Sequence, residues 1–147
     1  IFMNTGPPHY IRFISAIEDY PVFEEGRKVR YDDQFKPAGT NANFVEVLAD
    51  NAIFVRTYER RVEYETLSCG TGVVAAGLGS SLRGYSSPVQ IGTLGGQLTV
   101  QFKNRTHTAQ TAGSDNQSSR PGGQPGTFSE VFLIGPAKLV FRGTLEL

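Results

Sequence analysis

Cysteine is nearly absent from this chain of 147 residues, which contains one cysteine, one methionine and no tryptophan. A single cysteine excludes an intrachain disulfide, so the fold cannot depend on one. The sequence also lacks an apolar run long enough for a membrane span or for the core of a signal peptide. These absences predict a protein of a reducing compartment, the cytoplasm.

Neither sign of charge is in excess, because 14 Lys and Arg residues balance 14 Asp and Glu residues. Neither sign forms a long block, so the electrostatic footprint of a protein that binds nucleic acid or an anionic membrane is missing. We therefore expect a small molecule as the partner, and neither nucleic acid nor a membrane.

The length fits one hydrophobic core, or one half of a larger two-domain enzyme. The chain begins Ile1-Phe2-Met3-Asn4, without methionine at position 1 and without a polar leader, so we expect a fragment of a longer protein. Residues 1–147 are predicted to form a single domain. Within it, residues 104–127 consist mainly of Gly, Ser, Thr, Gln and Asn, which predicts a flexible polar loop.

Segments rich in aromatic and β-branched residues predict strands over most of the remaining chain. They lie at residues 10–14, 44–48, 53–58, 89–91, 98–102, 131–134 and 139–142. A first helix is predicted on the surface from about Pro21 to Arg30, with Asp19 as its cap. A second runs from Cys69 to about Leu82, and its small and apolar residues indicate a helix enclosed by protein. The fold class is α+β, a mostly antiparallel or mixed sheet wrapped around a central buried helix.

The only cysteine lies in Ser68-Cys69-Gly70-Thr71-Gly72, at the start of the second predicted helix. Unpaired backbone N–H groups and the positive end of the helix dipole meet there, where they stabilise a thiolate and can hold a carboxylate. The motif favours a cysteine base at the mouth of a cavity. A buried cysteine that acts as a small hydrophobic side chain is the alternative, and the motif alone leaves both open.

Four segments follow one another along the chain: Asn4–His9, Gly39–Phe44, Arg56–Arg60 and Glu65–Gly72. Together they resemble the C-terminal half of diaminopimelate epimerase, and the resemblance covers nearly the whole chain outside the polar loop. The cysteine motif alone would also suit proline racemase-like proteins. The Tyr-Glu-Arg sequence at residues 58–60 points to the epimerase.

The resemblance implies an isomerase that interconverts LL- and meso-diaminopimelate without pyridoxal phosphate, metal or any other cofactor. In the family, two cysteines face each other across the substrate α-carbon, and one removes a proton while the other returns one from the opposite face. A single base acting on one face would regenerate the same isomer. Cys69 would be the base for the LL isomer, and the second cysteine would lie in an absent N-terminal lobe.

Residues 1–147 are accordingly expected to be the C-terminal lobe, inactive on its own, of an enzyme of lysine and peptidoglycan precursor synthesis. The expected partners are an amino-acid substrate and the missing lobe, with a homodimer as a further possibility. The resemblance assigns the backbone N–H groups of Gly70 and Thr71 to the substrate α-carboxylate.

The resemblance also assigns roles to four polar residues. Asn41, Glu59 and Arg60 match positions that bind the distal amino-acid end, and Glu59 matches a position that matters for activity. His9 matches a histidine near the catalytic centre that supports proton transfer. Without the family pattern, Asn41 would be a turn residue, Glu59 and Arg60 an exposed pair, and His9 a structural histidine.

Two residues depart from the family pattern. Pro7 replaces an asparagine that contacts the substrate, which removes an amide able to donate and accept hydrogen bonds. Arg61 stands where glycine is common, and we expect it to crowd a turn that needs unusual dihedral angles. A racemase or isomerase of the same fold acting on another amino acid therefore remains open, as does a non-catalytic small-molecule-binding lobe. A cysteine hydrolase that pairs Cys69 with His9 is the weakest alternative.

Overall fold

The computed structural model describes residues 1–48, 51–105 and 127–145. A short 3₁₀ helix covers Asp33–Phe35. The strands and α-helices of the described residues, in chain order, are β1 Phe2–Asn4, β2 Pro8–Ile14, α1 Val22–Arg30, β3 Asn41–Val47, β4 Ala52–Glu59, β5 Tyr64–Thr66, α2 Gly70–Ser81, β6 Val89–Thr93, β7 Gly96–Arg105 and β8 Thr127–Ile134.

These strands form one mixed sheet in the order β1-β2-β3-β4-β6-β7-β8, and β5 pairs with β4 beside that path. The pairs β2–β3 and β4–β6 are parallel, and the other pairs are antiparallel. The α+β class with a mixed sheet is therefore confirmed. The strands predicted at residues 44–48 and 53–58 are also present, and they form the antiparallel pair β3–β4.

Successive side chains of the central strands alternate between the two faces of the sheet. Odd-numbered residues such as Ile11, Val45 and Val55 join one hydrophobic core with the side chains of α2. Even-numbered residues such as Phe44 and Tyr58 join a second core with α1 on the opposite face. At one end of the α2 face, the apolar odd-numbered positions give way to buried polar ones, and these form the site described below.

Helix α2 packs against β1, β2, β3, β4, β6, β7 and β8. Eight of its twelve residues are buried. Its glycines permit this packing, since a Cβ at Gly77 would lie 2.9 Å from Cβ of Val100. The predicted bounds of this helix are confirmed, with Cys69 and Leu82 as its capping residues. No helix of the described residues is both long and apolar enough to cross a membrane.

Helix α1 also lies where the sequence predicts it, although its N-cap is Pro21 and not Asp19. The strand predicted at residues 139–142 is wrong. Residues 135–145 have no regular structure, and Leu139, Val140 and Phe141 are between 74% and 84% exposed. Strand propensity reflects packing against neighbouring strands, and no described strand pairs with these residues.

Both ends of the predicted polar loop at residues 104–127 belong to strands. Asn104 and Arg105 continue β7, and Thr127 begins β8, because Asn104 pairs with Phe128 and Arg105 with Thr127. Ladder hydrogen bonds thus extend the sheet into residues whose polar composition favours a loop. Residues 106–126 lie outside the described residues.

Candidate active site

The site begins at the junction of β5 and α2, where Cys69 caps the helix in an extended conformation, with φ −115° and ψ 106°. Cys69 is buried, with 8% of its surface exposed. The first bond of the helix joins the N–H of Val73 to the carbonyl of Cys69 at 2.8 Å. The N–H groups of Gly70, Thr71 and Gly72 therefore have no acceptor within the helix and are available around the thiol.

Opposing influences act on the thiol of Cys69. Burial has the largest effect and raises its pKa above the ordinary value, because a thiolate is poorly solvated there. The N–H of Gly72 and the hydroxyl of Thr71 lower the same pKa, while the Glu59 carboxylate raises it. The Thr71 hydroxyl oxygen lies 3.7 Å from Sγ. The helix start therefore offsets part of the cost of forming a thiolate.

A cavity of about 310 Å³ opens beside this cysteine. It brings together five of the residues that the sequence singles out as site residues, on the ends of β3 and β4 and the start of α2. The complete lining consists of Gly6, Pro7, Asn41, Glu59, Arg60, Arg61, Cys69 and Thr71.

Asn41 and Arg60 are fixed to each other and to the backbone around the cavity. The Asn41 Oδ1 accepts the backbone N–H of Arg60 at 3.0 Å, and its Nδ2 donates to the carbonyl of Pro8 at 3.3 Å. The guanidinium Nη1 of Arg60 donates to the carbonyls of Ala38 and Gly39, at 3.0 and 3.3 Å. Both residues thus hold defined positions in the free protein.

A hydrogen bond from the neighbouring strand β5 fixes the side chain of Glu59. Its Oε1 accepts the hydroxyl of Thr66 at 2.6 Å. In the described part of the chain, Glu59 and Arg60 form no ion pair with each other. A carboxylate and a guanidinium therefore border the cavity as two separate charges, which is an arrangement able to bind a ligand that carries both signs.

His9 and Gly70 do not line the cavity. His9 is completely buried behind Thr71, with Nε2 at 3.0 Å from the Thr71 Oγ1. Burial lowers the pKa of His9 from 6.5 to about 4, and the charge of Arg60 contributes to the lowering. Its imidazole is therefore neutral at physiological pH. Thr71 stands between His9 and Cys69, which disfavours the direct Cys–His pair of a hydrolase.

The amino-acid sequence matches known proteins over nearly its whole length. The family model for diaminopimelate epimerase matches residues 1–116. The chain belongs to the diaminopimelate epimerase family. A diaminopimelate epimerase of Flavobacterium psychrophilum is 37% identical over 147 residues, which cover 99% of this chain and 50% of that protein. One of Archaeoglobus fulgidus is 46% identical over 145 residues, which cover 98% of this chain and 42% of that protein.

The chain spans about half the length of the curated diaminopimelate epimerases it matches. A solved phenazine biosynthesis protein of the PhzF family from Bacillus anthracis is 24% identical with a TM-score of 0.49, covering 69% of this chain and 32% of that one. That likeness is too low to bear on the fold or the site. The family match confirms the resemblance inferred from the four sequence segments.

Pro7 and Arg61, the two residues expected to depart from the family pattern, both line the cavity. Arg61 does not have a positive φ, and the residue of this turn that does is Glu63, with a φ of 55°. The Glu63 N–H donates to the Glu59 carbonyl at 2.7 Å and closes the turn. Arg61 thus adds a third charged residue to the cavity without distorting its own backbone.

Two buried residues beside this cavity, Asn43 and Thr57, carry no motif that marks them in the sequence. Asn43 is fully buried and Thr57 is 2% exposed, and both face α2 next to His9. Alternation along β3 could have found Asn43, because it follows Asn41 by two residues and shares its face. Thr57 is the cross-strand partner of Asn43 on β4. No group of three His, Cys, Asp or Glu side chains in residues 1–48, 51–105 and 127–145 is arranged to hold a metal ion.

Proposed function

We propose that this chain is the C-terminal lobe of a diaminopimelate epimerase that interconverts LL- and meso-diaminopimelate for lysine and peptidoglycan precursor synthesis. The observation that carries this proposal is that Cys69, Glu59 and Arg60 border one and the same cavity. A second lobe with a second cysteine completes the site, and the sheet of this lobe wraps around α2 as its central helix. The isolated chain is inactive, since it contains one cysteine.

The reaction proceeds by proton transfer between two thiols and the substrate α-carbon. The thiolate of Cys69 removes the α-proton of the LL isomer, so the C–H bond breaks, an S–H bond forms and the electron pair remains on the substrate. The thiol of the second cysteine then gives its proton to the opposite face of the α-carbon and becomes a thiolate. Reversal of the two roles converts the meso isomer back, and neither pyridoxal phosphate nor a metal ion takes part.

The start of α2 stabilises the charge that develops on the substrate. The electron pair released at the α-carbon delocalises into the adjacent carboxylate. The N–H groups of Gly70 and Thr71, which lack helical acceptors, donate to that carboxylate and stabilise the transition state. The same helix end therefore binds the substrate and supports the thiolate of Cys69.

The distal end of the substrate carries one ammonium and one carboxylate group, and it binds between Arg60 and Glu59. Arg60 uses Nη1 for the backbone, while its Nε and Nη2 make no hydrogen bond to the described residues. Those donors suit a bidentate contact with the distal carboxylate. Glu59 binds the distal ammonium, and Asn41 keeps the Arg60 backbone in place.

A substrate panel tests this proposal with the full-length enzyme. We expect epimerisation of LL-diaminopimelate and no turnover of lysine, which has the same spacing between its two amino groups but lacks the distal carboxylate. Arg60→Met should raise KM for diaminopimelate by about tenfold or more, as expected for loss of a charge-assisted hydrogen bond. No turnover of any amino acid by the folded enzyme would favour a non-catalytic binding lobe.

The position of Pro7 favours a second candidate, a racemase of the same fold that acts on another amino acid. Pro7 lines the cavity and presents no amide side chain or backbone N–H to a substrate. Turnover of a different amino acid at a higher kcat/KM than diaminopimelate would support this candidate. The same panel therefore separates the two reactions.

A further inference from the structure

A buried hydrogen-bond chain behind Cys69 has no role in the reaction as described above. It starts at Asn43, whose Nδ2 donates to the carbonyl of Tyr10 at 2.9 Å. The hydroxyl of Thr57 donates to the Asn43 Oδ1 at 3.0 Å. A backbone carbonyl only accepts, so the nitrogen of the amide has to face Tyr10. The orientation of the Asn43 side chain is therefore fixed by its neighbours on both sides.

The orientation of Asn43 determines the tautomer of His9. The same Nδ2 lies 3.1 Å from Nδ1 of His9 and has a second N–H to donate. Nδ1 must then accept, and the proton of the neutral imidazole is on Nε2. Nε2 lies 3.0 Å from the Thr71 Oγ1, so His9 donates to that hydroxyl. The hydroxyl hydrogen of Thr71 is left to point towards Sγ of Cys69, 3.7 Å away.

We propose that Asn43 is a positioning residue that holds His9 in the Nε2-protonated tautomer, so that the hydroxyl of Thr71 donates a hydrogen bond to the thiolate of Cys69. The catalytic consequence rests on the proposed function, whereas the hydrogen-bond chain is a property of the folded protein. Four groups take part in a fixed direction, from Asn43 through His9 and Thr71 to Cys69. The hydrogen-bond chain orients its donors and acceptors, and it transfers no proton in the free protein.

The surroundings of this hydrogen-bond chain are suited to holding His9 in one tautomer. Asn43 and His9 are completely buried, so water does not compete for their hydrogen bonds. Two charges act on the titratable groups of this hydrogen-bond chain: Arg60 lowers the pKa of His9, and Glu59 raises the pKa of Cys69. A donated hydrogen bond from Thr71 therefore acts against both burial and the charge of Glu59.

Nitrogen NMR on the ¹⁵N-histidine-labelled chain tests the tautomer directly. The chain has two histidines, so a His107→Gln variant leaves the signals of His9 alone. We expect a proton on Nε2 and an unprotonated Nδ1 between pH 6 and 8. Asn43→Asp, which places an acceptor opposite Nδ1, should bring a proton onto Nδ1. Thr57→Val leaves the Nδ2 contact in place and should keep the original tautomer. A proton on Nδ1 in the unsubstituted chain would overturn the proposal.

Alkylation of Cys69 by iodoacetamide as a function of pH tests the last hydrogen bond, because this chain has no other thiol. Thr71→Val removes the hydroxyl and should raise the apparent pKa of Cys69 by about one pH unit. Thr71→Ser keeps the hydroxyl and should leave the apparent pKa unchanged. Thr71 is exposed, so both variants preserve the buried core. Equal values in the two variants would contradict the proposal, whether or not the Asn43 variant folds.

Kinetics of the full-length enzyme extend the test to catalysis. Thr71→Val should lower kcat about tenfold and leave KM within about twofold, because the backbone N–H of residue 71 is retained. Thr71→Ser should restore kcat. The tautomer and alkylation measurements involve no substrate. A failure to epimerise diaminopimelate would therefore refute the proposed function without changing their outcome, and an unexpected tautomer would refute the inference alone.

Discussion

Gly72 and Asn43 are in such close contact that a Cβ at Gly72 would overlap with Oδ1 of the amide. The same Cβ would lie 3.3 Å from Cβ and 3.4 Å from Sγ of Cys69. Gly72 is therefore required by the close approach of β3 to the start of α2, and not by an unusual backbone conformation. This approach sets the distance between the buried polar residues and the thiol.

Gly72→Ala should destabilise the protein by about 1 to 3 kcal/mol, because the added methyl group must displace the Asn43 amide from its hydrogen bonds. Urea unfolding measures the change. Gly70→Ala is the matched control in the same turn of α2, where the added Cβ lies 3.4 Å from the end of the Leu133 side chain. That control should be neutral or slightly stabilising. Equal free energies of unfolding for the two variants would contradict this role of Gly72.

Stability should fall as the pH drops from 6.5 to about 4 because of His9. The folded protein holds the pKa of His9 at about 4, whereas the unfolded chain titrates near the ordinary value of 6.5. The unfolded state therefore binds more protons between these two pH values, and acidification lowers the free energy of unfolding by about 3 kcal/mol in total. Unfolding free energies of the protein and of His9→Gln across this range test the effect. The substituted protein should show a flatter profile, and parallel profiles would contradict it.

Much of the fold can be predicted from local patterns, but its short strands cannot. Strands β3 and β4 follow from segments rich in aromatic and β-branched residues, and α2 follows from a run of small and apolar residues after Cys69. Strands β1 and β5 have three residues each, and each is defined by pairing with a longer strand, β2 or β4. Residues 139–142 have high strand propensity but no described partner, so propensity alone mispredicts them.

The candidate site was predictable where chemistry is encoded in a motif and unpredictable where it depends on packing. Cys69, Glu59 and Arg60 stand in recognisable segments, and the structure brings them to one cavity. The burial of His9 behind Thr71 depends on how β2 and α2 pack, which no local pattern specifies. Alternation with Asn41 places Asn43 on the same face of β3, but its contact with His9 depends on strand pairing, which no local pattern specifies.

The ion pair between Arg56 and Glu65 should be a large contributor to stability. Both side chains are 15% exposed, and the two hydrogen bonds between them measure 2.6 and 2.8 Å. Arg56 also donates to the backbone carbonyls of Ile17, Glu18 and Tyr20, which fixes the segment before α1. The Glu65 carboxylate raises the pKa of Arg56 accordingly.

Arg56→Met should therefore lower the free energy of unfolding by about 3 to 5 kcal/mol, because it leaves the mostly buried Glu65 carboxylate and three backbone carbonyls without their donor. Glu65→Gln should cost less, since the amide still accepts from Arg56 and the contacts to the backbone remain. Chemical unfolding of both variants checks this order. A smaller loss for Arg56→Met than for Glu65→Gln would show that the backbone contacts contribute nothing.

Gly26→Ala should loosen the docking of α1 on the sheet. A Cβ at Gly26 would overlap with the side chain of Tyr58, which is 1% exposed in the second core. We expect a loss of about 1 to 3 kcal/mol in unfolding free energy, as for other overpacked sites. Lys28→Ala on the exposed side of the same helix is the control and should change stability by no more than about 0.5 kcal/mol. Similar losses for both would argue against this contact.

The role of Cys69 as a base is tested most directly by deuterium transfer from solvent. Full-length enzyme and its Cys69→Ser variant are incubated with LL-diaminopimelate in D₂O, and the α-carbon of each isomer is analysed at low conversion. We predict that deuterium enters the meso product with inversion of configuration and that the serine variant loses this reaction by a factor of at least about 100. Deuterium incorporation by the Cys69→Ser variant at the unsubstituted rate would contradict the account.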